Sequence, residues 1–480
     1  MAIRTGKQYL EAIAEGRDIR IDGEKINNVV TDPRFSGGAQ TMAMIFDLQH
    51  RKDLIDKMTY VEDGERYGLS HKAPTNAEEL EARKQMFKIW SDASCGTFGR
   101  SPDYMNVYLM AMNAAADQFG EYAPNVRSYY KYIRDNDLSM THTLVNPQVD
   151  RSKPVEQQDK DLAAKIVKTT DEGIVINGAR MVSTLSAYAD EILVVPSGII
   201  KNNQEAFPYA FAFGIQGDAP GVIHVSRPSV VHQNAGHPMD YPMSGRFDET
   251  DAMIIFDNVL VPWERVFSHG DVDMCNEFYK RTNIGAHILD QSTVRSLAKA
   301  EFYRDLAFTI TDSTKTDGFI NVQNMMAELM TSVEIIRSII VAAHAEAKLV
   351  NGVWSPNAAP YASLRLLYPD MYQRMCEIIR TVGAGGLVAV PSYAEFDSDD
   401  TKDFVNKYFE SANGSSKSRT KLFRLAYDAS ISSFAGRQQL YERYYSGDPV
   451  RAAAIMYNMA DKEPNKQRIW DFLDDYEKSL

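Results

Sequence analysis

Cysteine is scarce in this chain of 480 residues, which contains only three, at Cys95, Cys275 and Cys376. An odd number of widely separated cysteines gives no disulfide framework and no paired-cysteine metal signature. The nine histidines are also dispersed, and His232 and His237 do not have the spacing that aligns two ligands on one helix face. We therefore expect a reducing compartment and no metal centre.

Positive charge and long apolar runs are lacking as well. Lysine and arginine number 52 against 65 acidic residues, which gives a formal net charge of -13. A nucleic-acid-binding surface needs a basic face to neutralise phosphates, so this class of function is excluded. No segment approaches the roughly 20 apolar residues of a membrane span, and the first residues lack the apolar core of a signal peptide. We expect a cytoplasmic protein without a nucleic-acid or membrane partner.

The first part of the chain has a helical periodicity. Before it, Asp22-Gly23 lies between two alternating apolar runs and predicts a β-hairpin. Apolar residues then recur at spacings of three and four, which predicts helices. Residues 1–140 are therefore expected to form a mostly α N-terminal domain. The helices are predicted over residues 42–58, 76–94 and 103–117.

A period of two replaces the helical pattern near Thr141. Gly173–Thr184 contains two apolar runs around Asn177-Gly178, a dipeptide favoured in two-residue hairpin turns. Strands at this spacing, separated by Gly, Pro and Asn, indicate a β-sandwich or β-barrel, which we expect over residues 141–272. Further strands are predicted over residues 191–196, 209–215, 222–225 and 252–261.

The helical period returns near Phe278, and several long amphipathic helices with short breaks predict an antiparallel bundle over residues 273–480. Gly383–Gly386 follows a helical run and lacks the spacing of a nucleotide loop, so it predicts a helix end and a turn. No linker separates the bundle from the other parts. An apolar stripe is formed by Met326, Leu329, Val333, Ile336 and Ile340. Other helices are predicted over residues 289–311, 362–382 and 417–445, with a pair after Pro449.

One helix start carries residues suited to chemistry. Ser101–Asp103 has the features of an N-terminus, since Ser is a favoured N-cap, Pro is tolerated in the first turn and Asp complements the positive helix end. Arg100 and Tyr104 flank this end and could hold a negative oxygen. His142 is a candidate third member that could accept a proton near neutral pH. The same residues could also be a solvated arginine, a packed tyrosine and a structural histidine.

Four segments in order make the chain similar to a known family. They are Arg100–Tyr104, then His142–Leu144 with Pro147–Lys153, then Phe256–Glu264, and finally Gly436–Glu442. An α part, a β part and a helical bundle follow one another in the acyl-CoA dehydrogenase-like flavoproteins, an α+β multidomain fold that is mostly α. Within that fold the chain resembles, over nearly its whole length, the oxygenase component of the two-component, flavin-dependent 4-hydroxyphenylacetate 3-monooxygenase family.

The resemblance implies a reaction. In that family a separate NAD(P)H:flavin reductase supplies FADH2, and the oxygenase reacts it with O2 to give a flavin C4a-hydroperoxide that hydroxylates a phenol beside its hydroxyl group. The implied conversion is 4-hydroxyphenylacetate to 3,4-dihydroxyphenylacetate. Chlorophenol, phenol or 4-hydroxycinnamate are alternative substrates, and a 4-hydroxybutyryl-CoA dehydratase-like lyase with an iron–sulfur cluster is an alternative reaction. The fold implies a homotetramer, a dimer of dimers.

The resemblance also implies roles for residues. His142 is the expected base or acceptor for the phenol proton, and Arg100 and Tyr104 are the expected donors to the phenol oxygen. Gly198 lacks the hydroxyl of related proteins near the acidic tail of the substrate, and Lys201 is an alternative cation. The implied substrate-binding residues are Arg100, Ser101, Tyr104, His142, Ser197 and Gly198. The implied FAD-binding residues are His142, Thr143, Leu144, Gln148, Val149, Asp150, Arg151 and Thr184, with Tyr445, Ser446, Gly447 and Asp448 from another subunit.

Overall fold

The computed structural model describes residues 2–147, 149–158, 162–196 and 198–480. Gln148 and Ser197, two of the predicted ligand-binding residues, lie outside these ranges. The helices are α1 (Gly6–Ile13), α2 (Ser36–Leu48), α3 (Ile55–Met58), α4 (Ala77–Ala93), α5 (Pro102–Ala114), α6 (Ala123–Asn136), α7 (Ser244–Phe247), α8 (Val272–Thr282), α9 (Ile284–Thr314), α10 (Ile320–Ala345), α11 (Ala358–Ala389), α12 (Lys402–Tyr408), α13 (Ser416–Ser430), α14 (Ser433–Tyr444), α15 (Pro449–Met459) and α16 (Glu463–Ser479). The strands are β1 (Asp18–Ile21), β2 (Glu24–Ile26), β3 (Thr59–Glu62), β4 (Glu65–Gly68), β5 (Met140–Thr143), β6 (Lys165–Thr169), β7 (Gly173–Thr184), β8 (Glu191–Val194), β9 (Phe211–Gln216), β10 (Val222–Ser226), β11 (Asp251–Pro262), β12 (Val266–His269), β13 (Lys348–Val350) and β14 (Val353–Ser355).

The N-terminal part is mostly helical and contains two β-hairpins. Thr5 caps α1 through a capping box with Gln8, whose N–H donates to the Thr5 hydroxyl (3.2 Å). The hairpin predicted at Asp22-Gly23 is confirmed as β1 and β2. A second hairpin, β3 and β4, turns at Asp63-Gly64, where the sequence predicted only a break between helices. Both residues of that turn have positive φ.

Two sheets pack against each other in the middle of the molecule. The larger has the strand order β2-β1-β10-β11-β7-β6, and the smaller has the order β12-β9-β8-β5. Apolar residues of both sheets, such as Ile176, Phe213 and Ile254, are fully buried in one core. The predicted β-sandwich or β-barrel is thus a sandwich, but β1 and β2 come from the N-terminal segment, and β1 pairs in parallel with β10. The division of the chain at residues 140 and 272 remains a prediction.

The hairpin predicted at Asn177-Gly178 is wrong, because β7 is a single continuous strand. β7 pairs with β6 on one side and with β11 on the other, and a bulge in β11 lies opposite Asn177. Gly178 has a φ of 112°, and a Cβ atom there would lie 2.5 Å from the carbonyl oxygen of Ala163. The glycine therefore permits a close backbone approach within a strand and does not form a turn.

The helices α9, α10 and α11 form the centre of the C-terminal bundle. The apolar stripe predicted on α10 is buried, which confirms its assignment to the core. The helix predicted over residues 417–445 is two helices, because the chain breaks at Ile431 and the Ser432 hydroxyl then accepts from the Ala435 N–H (3.4 Å) to cap α14. Gly383–Gly386 lies within α11, where Ala384 departs from helical geometry and kinks the helix.

Three elements converge beside the sandwich and position the candidate site. They are the N-terminus of α5, strand β5 and the C-terminal end of α14. Nearly all of α5 is buried, and β5 is fixed by parallel pairing with β8. None of the helices in the described ranges combines the length and apolar character that a bilayer crossing requires.

Candidate active site

Arg100 lies immediately before α5, and only 5% of its surface is exposed. Its guanidinium carbon is 4.0 Å from the ring centroid of Tyr104. Nη1 donates to the Tyr441 hydroxyl (2.5 Å) and to the Gly99 carbonyl (3.2 Å). Among the described residues, no carboxylate lies within 4.0 Å of this guanidinium. A buried cation without a carboxylate is costly, so Arg100 is suited to bind an anion that comes from outside the chain.

His142 lies on β5, next to Tyr104. The two rings stack with centroids 5.7 Å apart, and the Tyr108 ring is 5.9 Å from the imidazole. Burial and the positive charge of Arg100 hold the pKa of His142 well below its usual value of 6.5. Nδ1 is buried and has no hydrogen-bond partner among the described residues. The imidazole is therefore neutral at pH 7 and able to accept a hydrogen bond.

Ser101 occupies the predicted N-cap position, but its side chain does not cap the helix. Its hydroxyl donates instead to Oδ1 of Asp103 (2.5 Å), and Gln291 Nε2 donates to the other carboxylate oxygen (3.1 Å). Burial raises the pKa of Asp103 to about 6. The predicted contact between Ser101 and substrate therefore requires its hydroxyl to leave Asp103 or to accept from the ligand.

Three residues that sequence reasoning missed or placed elsewhere lie near Arg100, Tyr104 and Tyr108. Tyr279 is 38% exposed and its hydroxyl lies 3.4 Å from that of Tyr108. Tyr445 stacks on Tyr441, with centroids 5.3 Å apart, and reaches to 5.9 Å from the guanidinium of Arg100. Arg365 of α11 is the third. No local signal identifies Tyr279 or Arg365, because each lies inside an ordinary helical pattern.

The segment predicted to bind FAD follows β5. The Thr143 side chain is fully buried, and its hydroxyl has no partner among the described residues. Leu144 is half-buried, Val149 and Arg151 are exposed, and Asp150 accepts from the N–H (3.0 Å) and the hydroxyl (2.7 Å) of Ser152. The segment therefore runs from the buried end of β5 at Thr143 to the protein surface at Arg151.

Arg180 was not predicted, yet it fixes the start of this segment. It is 2% exposed, and Nη1 donates to the Leu144 carbonyl (2.8 Å) and to the Asn146 side chain. Burial lowers the pKa of Arg180 to about 10. Thr184, at the end of the same strand, donates to Oδ1 of Asp251 (2.7 Å), so its hydroxyl already has an acceptor.

The turn from Tyr445 to Asp448 joins α14 to α15. Asp448 caps α15 by accepting from the Arg451 N–H (3.0 Å), and Gly447 has a φ of 96°. A Cβ atom at Gly447 would lie 3.0 Å from Nη2 of Arg365. The resemblance implies that another subunit supplies this turn to the flavin site, and this stays a prediction; within one chain, the Tyr445 ring lies 5.9 Å from the guanidinium of Arg100.

The described residues predicted to contact the substrate tail lie in an exposed loop. Gly198 is exposed, and a Cβ atom there would meet open space. Lys201, the alternative cation, lies 3.4 Å from a carboxylate oxygen of Glu156. The preceding residue of the loop is anchored, since the backbone N–H of Ile200 donates to the side chain of Asn276 and its carbonyl accepts from it.

A second group of buried charges also lies near Tyr441. Arg295 donates to both carboxylate oxygens of Glu442 (2.5 and 2.9 Å), and Lys299 donates to the same carboxylate (2.5 Å). Although burial raises the pKa of Glu442, the two cations lower it to about 2, and burial lowers the pKa of Lys299 to about 8. The segment Gly436–Glu442 therefore contributes a structural ion cluster that ties α14 to α9.

The three cysteines do not form a cluster. Burial raises the pKa of Cys95 to about 11 and that of Cys275 to about 12, and Cys376 is buried in α11. Within the described ranges, no group of three or more His, Cys, Asp or Glu side chains is arranged to hold a metal ion. The dehydratase alternative needs several thiolates converging on iron, so these positions give it no support.

Known proteins resemble the chain over almost its whole length. Residues 5–268 match the family model described as 4-hydroxyphenylacetate 3-hydroxylase N terminal, and residues 275–474 match the one described as its C terminal. The chain is 41% identical over 473 residues to the oxygenase component of 4-hydroxyphenylacetate 3-monooxygenase from Thermus thermophilus, which covers 98% of this chain and 97% of that protein.

Solved structures of the same family are similar to this chain as well. A crystal structure of the oxygenase component of 4-hydroxyphenylacetate 3-monooxygenase complexed with FAD and 4-hydroxyphenylacetate has a TM-score of 0.95 and 40% identity, covering 99% of each chain. Glutaryl-coenzyme A dehydrogenase, 11% identical over 81% of each chain with a TM-score of 0.50, shares the fold alone. The predicted acyl-CoA dehydrogenase-like architecture is thus confirmed. Because both family models match in order and together span most of its length, the chain belongs to the 4-hydroxyphenylacetate 3-hydroxylase family.

Proposed function

We propose that this chain is the oxygenase component of a two-component, FADH2-dependent monooxygenase that hydroxylates 4-hydroxyphenylacetate to 3,4-dihydroxyphenylacetate. The observation that carries the proposal is the environment of Arg100. A buried guanidinium without a carboxylate lies beside the neutral imidazole of His142 and the hydroxyl of Tyr104, which makes no hydrogen bond to the described residues. These are the donors and the acceptor that a phenol group requires.

The proposed roles follow from the chemistry of a phenol. Hydroxylation at the ring carbon beside the hydroxyl group is easier when charge flows from the phenol oxygen into the ring. Arg100 and Tyr104 donate to that oxygen and favour its negative form, while His142 accepts a hydrogen bond from the phenol hydroxyl. Because the pKa of His142 is held well below 6.5, the imidazole acts mainly as a hydrogen-bond acceptor that polarises the phenol. Burial of these side chains keeps water from the reacting ring.

The proposed FAD-binding residues are those implied by the family. When bound, FADH2 supplies the electrons with which one oxygen atom of O2 is inserted into the ring and the other leaves as water. Two features of this chain fit such a group. The Thr143 hydroxyl is buried and lacks a partner, and the turn after Tyr445 lies beside Arg100. Residues proposed to contact FAD are His142, Thr143, Leu144, Gln148, Val149, Asp150, Arg151, Thr184, Tyr445, Ser446, Gly447 and Asp448.

Substrate choice depends on the opposite end of the pocket. Ser197 and Gly198 are proposed to lie near the carboxylate of 4-hydroxyphenylacetate, where Gly198 offers only its backbone N–H. Because this position gives a small contribution to carboxylate recognition, chlorophenol, phenol and 4-hydroxycinnamate remain alternative substrates. The loop of residues 200–207 is proposed to close over this end.

The proposed partners are an NAD(P)H:flavin reductase and further copies of this chain in a homotetramer that works in the cytoplasm. Exposed apolar side chains support the assembly. None of the residues of α16 is buried in the single chain, and Trp470 and Phe472 are 61% and 70% exposed. Ile320 and Val341 on α10 are 80% and 61% exposed.

The test is a substrate panel. Purified protein is combined with a flavin reductase, FAD, NADH and a series of 4-substituted phenols, and catechol formation is measured per NADH consumed. We expect the highest ratio with 4-hydroxyphenylacetate. If no catechol formed from any of the phenols, the proposed activity would be wrong.

His142→Ala tests the proposed acceptor. The variant should retain part of its flavin binding, but lose about tenfold or more in hydroxylation because the proton of the phenol has no acceptor, while hydrogen peroxide release rises. His142→Gln, which keeps an acceptor atom, should lose less. Unchanged coupling of NADH use to catechol formation in His142→Ala would remove His142 from this mechanism.

A further inference from the structure

Arg365 is a second cation near Tyr104 and Tyr445. It lies on α11 and is half-buried, and its Nε atom is buried without a hydrogen-bond partner. No carboxylate within the described part of the chain comes within 4.0 Å of its guanidinium. Arg374 on the same helix is a useful contrast, because it pairs with Glu328 (2.7 Å) and Glu377 (3.0 Å).

The position of Arg365 links two parts of the site. Its Nη2 atom is 3.0 Å from where a Cβ atom of Gly447 would be, so it borders the turn proposed to contact FAD. Burial lowers the pKa of Arg365, and the nearby hydroxyls of Tyr445, Tyr104 and Tyr279 oppose that shift. Arg100 also lies against Tyr104 and Tyr445, at 4.0 and 5.9 Å from their ring centroids. Two unbalanced cations therefore act on the same pair of tyrosines.

The proposed reaction brings two anionic groups to this place. One is the phenol oxygen, which the family resemblance assigns to Arg100. The other is the isoalloxazine ring of reduced flavin, which loses its N1 proton near neutral pH and carries one negative charge, whereas the oxidised ring is neutral. Arg365, on the side of the proposed flavin turn, is the cation left for the second group.

We propose that Arg365 binds the anionic isoalloxazine ring of reduced FAD and gives the protein its preference for the reduced over the oxidised cofactor. The inference rests on the proposed function and deepens it. An oxygenase that receives flavin from a separate reductase must take up FADH2 and release FAD. A positive charge that gains an ion pair only with the reduced ring provides that discrimination directly.

The experiment measures flavin affinity and not activity. Anaerobic titrations give the Kd of reduced FAD, and aerobic titrations give the Kd of oxidised FAD, for the full-length wild type and for Arg365→Gln, Arg365→Lys and Arg374→Gln. Loss of a charged hydrogen bond should raise the Kd of reduced FAD by about tenfold or more in Arg365→Gln, with a much smaller change for oxidised FAD. A tenfold change in the ratio of the two Kd values corresponds to a shift of about 30 mV in the two-electron potential of bound flavin.

The variants separate the possible outcomes. Arg365→Lys keeps the charge and should retain most of the preference, and Arg374→Gln removes a paired surface charge from the same helix and should behave as wild type. Equal weakening of both flavin forms would overturn the proposal, because it would place Arg365 on a part of FAD that does not change charge. Unchanged flavin binding with weaker binding of 4-hydroxyphenylacetate would also overturn it. Failure of the wild type to bind reduced FAD at all would contradict the proposed function itself.

Discussion

Arg100 and Arg295 both lie near Tyr441 and differ in how their charge is balanced. Both are almost completely buried, and their guanidinium carbons are 5.6 and 5.5 Å from the Tyr441 ring centroid. Arg295 makes two hydrogen bonds to Glu442, whereas among the described residues the guanidinium of Arg100 hydrogen-bonds to a hydroxyl and a backbone carbonyl. Arg100 and Arg295 are therefore similarly buried, but we assign ligand binding to Arg100 and a structural role to Arg295.

The difference shows how a structural charge can be told from one kept for a ligand. A buried ion pair is stable only while both partners are present, so Arg295, Lys299 and Glu442 behave as one unit. Among the described residues, no carboxylate pairs with the guanidinium of Arg100, although Glu249 accepts from its backbone N–H (2.7 Å), so we expect an arriving anion to balance the charge. Removing a balancing charge should damage the fold, and removing the unbalanced one should damage binding.

The largest effect is expected from Glu442→Gln. It leaves Arg295 and Lys299 buried without a carboxylate, which should lower the free energy of unfolding by about 3–5 kcal/mol. Urea unfolding followed by circular dichroism measures the loss. Glu377→Gln, which changes a surface carboxylate of the bundle, serves as the control and should shift stability by less than about 1 kcal/mol. Equal stability of both variants would contradict the structural role of Glu442.

The same carboxylate predicts a pH dependence. Its folded-state pKa of about 2 is below the ordinary value of 4.5, so its contribution to stability is present above pH 4.5 and is lost as the pH falls towards 2. This group alone should cost the wild type about 2 kcal/mol between pH 6 and pH 3. Unfolding midpoints of Glu442→Gln should therefore fall less steeply over that range. Parallel curves for the two proteins would contradict the lowered pKa.

Arg100→Ala should show the opposite behaviour to Glu442→Gln. Loss of its charged hydrogen bonds to the phenol should weaken binding of 4-hydroxyphenylacetate by about twentyfold, or about 1.8 kcal/mol, as measured by calorimetric titration. Thermal stability should change little, because no ion pair is broken. Arg100→Lys keeps the charge but not the planar donor geometry, so its affinity for 4-hydroxyphenylacetate should lie between those of the wild type and Arg100→Ala. A large drop in melting temperature in Arg100→Ala would mean that Arg100 is structural.

Much of the fold could be predicted because it depends on local patterns. The stripe on α10 and the hairpin at Asp22-Gly23 follow from periodicity and turn chemistry, and both are confirmed. Asn177-Gly178 has the same local signal as a hairpin turn, but pairing of β7 with strands on both sides keeps it extended. The placement of β1 beside β10 also depends on distant residues, which no local pattern encodes.

The candidate site divides in the same way. Arg100 and Tyr104 stand at a recognisable helix start with His142 as a candidate third member, and the family resemblance gave these residues their roles and added Thr143 and the turn after Tyr445. Arg365 has no sequence signal, since an arginine in the middle of a helix is usually solvated. Its proposed role depends on the absence of a nearby carboxylate among the described residues and on its approach to Gly447, and both are properties of the folded chain.

Tyr441→Phe provides the smallest and most selective test, because the Tyr441 ring lies near both arginines, whereas its hydroxyl accepts from Arg100 alone among the described residues. Phenylalanine keeps the ring against Arg295 and leaves the pairing with Glu442 unchanged. The freed donor of Arg100 is then less well oriented, so affinity for 4-hydroxyphenylacetate should fall by about 1 kcal/mol, roughly fivefold, at nearly constant melting temperature. If stability fell and phenol binding did not, Tyr441 would belong to the ion cluster, and the two arginines would not be the independent units that their different partners indicate.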